Sequence, residues 1–464
     1  MRHQIHELQN DISFSLRNKP THVSHIVVHL ALLQFIAFFM EHELSMTPRM
    51  TITGNPVVDR REVADVVRRA LDENDGLLRL TPNWVPRSFL QPGGRLKLDR
   101  TDWYAFGLHR GGIDERWLAS TTDADNEGRV WHEGQSLCEF DEHLFLFKEA
   151  VDAIPDRILG EKLSIAYGRW PVLCKFFDNV GQIPLHMHQN DVDAALVGQE
   201  GKPESYFFPP QLNHVGNEFP YTFFGLEPGT TREQLGSCLR DWDRGDNGVL
   251  DLSRAYRLKP GTGWLIPPGL LHAPGSLCTY EPQWGSDVFS MFQSLVDGRE
   301  VPRDLLVKSM PSDKHQDIDF ILDQLDWEQN VDTHFKQHHY LEPVIDEHRS
   351  GDGYTDHWIV YGEINGRQLF SAKELTVEPG ARTRLQDPEA SGWITVQGRG
   401  CLGRLTIESP TLIRFGQRTS DEVFITHEAA NRGVDIENTG SEPLVSLRHF
   451  GPDAHAHMPM LAKS

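Results

Sequence analysis

The sequence predicts a mainly β protein made of two barrel-like modules, with one helical insertion and a helical bridge between the modules. Three observations carry this. Gly (39) and Pro (28) are abundant and break the chain into short apolar runs, the pattern of strands joined by turns. The strand-like runs fall into two blocks, residues 50–300 and 354–453, separated by a charged stretch at 301–353. At 464 residues the chain is too long for one ordinary core, so two or three domains are expected.

The elements follow in order. Residues 26–40 (IVVHLALLQFIAFFM) are the one membrane-like run. It is short for a span, carries His29 and Gln34, and is not followed by a small-residue cleavage site. Residues 1–45 are therefore expected to be an extension outside the folded protein, with no integral membrane span. Asp59-Arg60-Arg61-Glu62 reads as a capping box, with Val63, Val66, Val67, Ala70 and Leu71 at helical spacing behind it. From Trp84 to Phe177 short strands alternate with Gly and Pro, and residues 171–177 (PVLCKFF) form an apolar strand interrupted only by Lys175. Thr230-Thr231-Arg232-Glu233 opens the helical insertion, whose apolar stripe is Leu235, Cys238, Leu239 and Trp242. Strands return over 255–296. In the bridge, Ile318, Ile321, Leu322 and Leu325 recur at helical spacing. The second block offers strands at 368–377, 392–396, 411–415, 434–438 and 444–448, and residues 454–464 read as a frayed tail.

Composition narrows the function classes. The chain is 39% apolar and 24% charged, which is globular rather than disordered. A formal charge of −22 makes nucleic acid and anionic membrane poor partners. Cys138, Cys174, Cys238, Cys278 and Cys401 are odd in number and form no C-x-x-C pair, as expected of reduced thiols in a cytoplasmic protein.

The chemistry centres on Leu185-His186-Met187-His188. Side chains alternate along a strand, so His186 and His188 face the same way. His272 follows a Pro-Pro-Gly turn in an apolar context, where a buried ring nitrogen needs a partner that a metal can supply. A carboxylate from Gly201-Lys202-Pro203-Glu204 would complete an N/O site with room for water or substrate. Glu200 is the alternative carboxylate.

The order P-V-L-C-K-F-F, L-H-M-H, K-P-E, F-F-G-L and W-L-I-P-P-G-L-L-H-A resembles type I phosphomannose isomerases of the cupin superfamily. Glu115-Arg116-Trp117-Leu118 upstream and Ser286-Asp287 downstream extend the resemblance over roughly residues 85–295. It implies two cupin (double-stranded β-helix, jelly-roll) barrels, the first carrying one divalent metal ion, Zn before Mn or Fe. His186 would stand in place of the family's Gln ligand, with His188, Glu204 and His272 completing the set. Glu281 would be the base of an aldose–ketose isomerisation on a carbohydrate, with Lys202 or Asp287 assisting. A homodimer is among the assemblies expected.

The sequence departs from the family pattern at two places. Met291 occupies the position of an expected substrate-binding Arg, and the following Gly-Leu-Thr-x-Lys is absent. An unphosphorylated sugar is therefore expected, since guanidinium is the natural partner of phosphate. The interval from His188 to Glu204 is also shorter than in the family. In the second module Arg382, Arg384 and Gln386 fall where a His pair would lie, so no metal is expected there. An Fe-dependent cupin oxygenase and a non-catalytic carbohydrate-binding bicupin are the rival readings. Gly398–Gly403 (G-x-G-x-x-G), His338-His339 and His427-Glu428 lie outside any context that would give them chemistry, and the two adjacent His are expected to be exposed.

Overall fold

A computed structural model describes residues 55–56, 60–88, 90–213 and 219–461. The expectations for residues 1–45 and for the capping box at Asp59 lie outside them. The described residues form one compact, mainly β unit. No described helix is long and apolar enough to cross a membrane.

Two antiparallel sheets carry the region of the His pair. A seven-stranded sheet runs in the order Tyr340–Leu341, Gly263–Ile266, Glu204–Phe207, Thr279–Trp284, Val172–Phe177, Gly112–Leu118, Asn83–Arg87. A five-stranded sheet runs Ser253–Arg257, Tyr221–Leu226, His272–Ala273, His186–Met187, Ser290–Met291. Val172–Phe177 is buried at every position, which explains its unbroken apolar run. Register places Lys175 opposite Glu281 on one side and Trp117 on the other, so the lone charge of that strand meets a carboxylate across the ladder. The expected insertion is present as Arg232–Arg240. Its capping box is closed by Gln234, whose N–H donates to the Thr231 hydroxyl while its side-chain oxygen accepts from the Thr231 N–H.

The second block contributes strands Tyr354–Val360, Ser371–Val377, Ser391–Gln397, Glu422–Ile425 and Leu444–Phe450 to one sheet. A smaller sheet joins Arg382–Leu385, Val434–Asn438, Arg399–Leu402 and Leu405–Glu408. The expected strand at 411–415 is absent. That segment is a turn in which Ile413 alone bridges to Leu98, because residues on either side pair with nothing along a ladder. Arg382 and Arg384 lie in exposed cross-strand ion pairs with Glu437 and Asp435, and the Gln386 amide donates to the Asn431 carbonyl.

Three further differences have physical causes. The tail packs instead of fraying: Met458 is buried, and the His455 ring sits edge-on to Trp358 and Phe450. His339 is not exposed but stacks on Phe335 at 4.3 Å, and burial lowers its pKa to about 4. The two sequence blocks also share one sheet. Leu77–Leu80 pairs antiparallel with Glu422–Ile425, extending the second block's sheet to ten strands.

Arg116 reinforces this junction. Its guanidinium donates twice to Asp421 (2.8 and 2.9 Å) and once to Glu422 (3.1 Å), all buried. Removing the guanidinium would leave two carboxylates without their counter-charge. Arg116→Ala is therefore expected to cost about 3–5 kcal/mol, read as a lower urea midpoint with little change in slope. A change within about 0.5 kcal/mol would show that the pair contributes no net stability.

Candidate metal centre

Backbone pairing brings the three His together. His272 pairs directly with His186, and Met291 pairs with His186 on its other side. The turn before His272 is fixed by Gly269 (φ +77°), whose N–H donates to the His188 carbonyl at 2.8 Å. A Cβ at that position would lie 2.8 Å from the Asp326 nitrogen, so only glycine fits. Asn330, from the helical bridge, donates to the Gly269 carbonyl and accepts from the Leu271 N–H. The bridge thus holds the turn that delivers His272.

All three rings are turned the same way. Each Nδ1 faces a backbone carbonyl: His186 to Pro184 (2.9 Å), His188 to Val288 (2.6 Å) and His272 to Leu270 (2.8 Å). A carbonyl only accepts, so Nδ1 carries the proton and each Nε2 presents a lone pair to the centre. Ring centroids lie 4.2–5.1 Å apart. Burial lowers His188 to about 4 and pushes His186 well below its ordinary value, so both are neutral near pH 7.

Glu204 faces the same point from the neighbouring sheet, with its two oxygens 2.9 Å from His188 Nε2 and 3.4 Å from His272 Nε2. These are acceptors facing acceptors, and they repel unless a cation or proton lies between them. His272 Nε2 is buried without a hydrogen-bond partner. Among the described residues His186, His188 and His272 are the one group of three or more ligating side chains close enough to share an ion. Three neutral imidazoles with Nδ1–H anchored, plus a carboxylate, is a donor set that fits a divalent cation.

Around this point lies a charged shell. Lys202 Nζ is 3.2 Å from Glu204 and 4.0 Å from Asp287. Lys175 bridges Glu281 (3.0 Å) and Glu115 (3.1 Å). Burial raises Glu281 to about 8, against the pull of Lys175. Asp287 is held far below the usual carboxylate range, despite burial, by the Arg87 and Lys202 charges. The predicted residues His186, His188, Glu204, Lys202, Glu281 and Asp287 all line one cavity, with His272 behind it. Glu200 does not join them; it is an exposed partner of Arg169 and of the Trp284 indole N–H.

Sequence reasoning missed Arg87 and left Lys175 undecided. Arg87 is buried, donates to Asp287, Glu115 and Asn126, and lines the same cavity. A single cation inside an apolar strand run was the available signal for each. Met291 lines the cavity as well. The free volume is about 40 Å³, room for an ion and a few waters. Leu90, Ile183, Pro274 and Phe289 form its apolar walls and must part for a larger ligand.

No protein-family model matches the sequence, and no curated protein matches it. Solved structures do share its fold. The mannose 6-phosphate isomerase from Bacillus subtilis superposes with a TM-score of 0.53 at 18% identity, covering 81% of this chain and 99% of its own. A mutant of phosphomannose isomerase from Salmonella typhimurium gives 0.53 at 13% identity over the same shares. At these identities the likeness establishes a common fold.

Proposed function

We propose that this chain is a metal-dependent aldose–ketose isomerase acting on a sugar or sugar derivative. In finer terms it is two cupin barrels, the first holding one divalent ion, Zn before Mn or Fe, through His186, His188, Glu204 and His272. The observation that carries the reading is the convergence of three anchored His Nε2 edges with Glu204 at a cavity that the buried carboxyl of Glu281 also lines. A buried carboxyl beside Lys175 can accept a proton and return it. The shared fold with mannose 6-phosphate isomerases adds support.

The bound ion supplies Lewis acidity toward adjacent sugar oxygens. Glu281 removes the proton from C2 of the aldose, exchanges it with solvent and delivers a proton to C1, while the O2 hydroxyl proton passes to O1. Lys175, at 3.0 Å, stabilises the ionised carboxylate before the transfer. Lys202 carries its ammonium to the cavity wall, where negative charge develops on oxygen. Arg87 and Asp287 hold each other in place and keep that wall rigid. A non-catalytic carbohydrate-binding protein would bind the same sugars without interconverting them. Five free cysteines fit the cytoplasm.

Screening unphosphorylated and phosphorylated aldoses and ketoses with protein loaded separately with Zn²⁺, Mn²⁺ and Fe²⁺ tests the reading. Interconversion of one aldose–ketose pair is expected, and oxygen uptake without interconversion would favour an oxygenase.

The same screen tests phosphate preference. Met291 cannot pair with a dianion, while Arg87, Lys175 and Lys202 are already engaged by carboxylates. The free sugar is expected to exceed its 6-phosphate in kcat/KM. A tenfold advantage of the phosphate ester, about 1.4 kcal/mol, would refute this reading of Met291.

A further inference from the structure

We propose that the apolar wall of the metal cavity is a subsite for a methyl group, so that the preferred substrate is a 6-deoxyaldohexose over its 6-hydroxy parent. This rests on the isomerase reading and specifies its substrate class.

The two sheets give the cavity two unlike flanks. Arg87, Glu115, Lys175, Glu204 and Glu281 stand on strands of the seven-stranded sheet and form an ionic wall. The five-stranded sheet adds no charged side chain beside its His rings. Met291 pairs with His186, so its side chain lies on the His face of that sheet. Phe289 lines the cavity as well. Leu90, Phe177 and Ile183 pack together as a separate apolar cluster at the same cavity. These five side chains are each at most 5% exposed, so bulk water does not reach them.

The backbone of this wall offers a ligand little. The Ile183 N–H donates to the Pro274 carbonyl and the Leu90 N–H to the Arg87 carbonyl, both at 3.1 Å. Pro274, which also lines the cavity, has no N–H. The amide donors here are already used.

A sugar with O1 and O2 at the ion and C1 and C2 beside Glu281 leaves its far carbons to the rest of the lining. The free volume of about 40 Å³ requires side chains to part for it. The ionic residues hold one another, Arg87 on Asp287 at 3.1 Å and Lys175 between Glu115 and Glu281 at 3.1 and 3.0 Å. The apolar side chains are tied by packing alone, so they part and then close on the substrate. A C6 hydroxyl enclosed there gives up its hydrogen bonds to water and meets no donor in return. A C6 methyl gives up none and buries apolar surface. An apolar pocket of this kind discriminates against an added hydroxyl by about 10- to 100-fold.

The experiment compares kcat/KM of the metal-loaded full-length enzyme on matched pairs of hexose and 6-deoxyhexose in the D-gluco, D-manno, L-manno and L-galacto series. The 6-deoxy sugar should exceed its parent about tenfold or more in at least one pair. A ratio below about threefold in every pair that turns over overturns the subsite and leaves the isomerase reading standing. Ile183→Thr sets a hydroxyl into the wall with little change of shape. It should cut the ratio at least threefold, with metal content and the circular dichroism spectrum unchanged; an unchanged ratio in the folded, metal-loaded variant overturns the assignment. Calorimetric titration of the same pairs into metal-loaded protein reads the subsite without turnover. Binding of a 6-deoxy sugar at least fivefold tighter than its parent supports it; equal binding, or no binding, overturns it. Selective binding without any interconversion would instead mark failure of the isomerase reading.

Discussion

Replacing His188 or His272 with alanine is expected to abolish metal binding and reduce turnover by about a thousandfold or more, the scale of several kcal/mol of Lewis-acid stabilisation. Each ring contributes one Nε2 lone pair, and each is fixed by an Nδ1–H to a backbone carbonyl. Losing one leaves two imidazoles and Glu204 with a gap where the third Nε2 stood, so the ion loses one of the bonds that hold it. The substitution also strands a carbonyl, at about 1–3 kcal/mol, so folding has to be checked separately. His272→Asn can keep a donor near the Leu270 carbonyl while removing the Nε2 ligand, and serves as the second variant. Metal content by mass spectrometry should fall from one ion per chain to near zero, with the circular dichroism spectrum unchanged. A full equivalent of metal in the His186/His188 double variant would sink the ligand assignment.

Glu281→Gln is expected to lower kcat by about 10²–10⁴, the usual contribution of a positioned base, with metal content unchanged and KM altered little. Gln283 donates to Glu281, and Lys175 lies beside it, so the amide fits the same space. The pH dependence has a definite sign. Burial raises Glu281 to about 8 in the metal-free protein. A carboxyl whose folded pKa is raised stabilises the fold fully below its unfolded pKa, near 4.3. That contribution is lost as pH climbs through about 8. Melting temperatures of EDTA-treated protein should therefore fall from pH 5 to pH 9, and Glu281→Gln should flatten the fall. A parallel decline in both proteins would assign the effect to other groups.

Much of the site was legible because its residues sit in short motifs whose local geometry is nearly determined. An H-x-H on a strand has one possible facing, and a Pro-Pro-Gly turn ahead of His272 fixes where that strand begins. Glu204 follows Lys202 and Pro203 into its own strand, so both reach the same end of the sheet. Arg87 was not legible, because its role arises from ion pairs with residues 28 and 200 positions away in the chain. Lys175 could not be settled for the same reason: its register against Glu281 is a tertiary fact.

In the second block, strands with strong alternation such as Val434–Asn438 were readable from sequence. The 411–415 run was not, since Ile413 alone bridges to Leu98 while Leu412 is exposed and Phe415 packs on Phe106. The joining of Leu77–Leu80 to Glu422–Ile425 spans most of the chain and leaves no local trace. The tail misled for a related reason. His455 is polar by type, but its ring edges meet two aromatic faces.

The central claim is that a carboxyl of this cavity moves a proton between two carbons of a sugar with help from a bound metal. The most direct measurement incubates metal-loaded protein with the aldose identified by the screen in deuterium oxide and follows the product by NMR. The account predicts a ketose carrying deuterium at C1, formed only when metal is present and slowed at least a hundredfold in Glu281→Gln. Full metal occupancy with no interconversion of any aldose, or a ketose formed equally well after EDTA treatment, would contradict it.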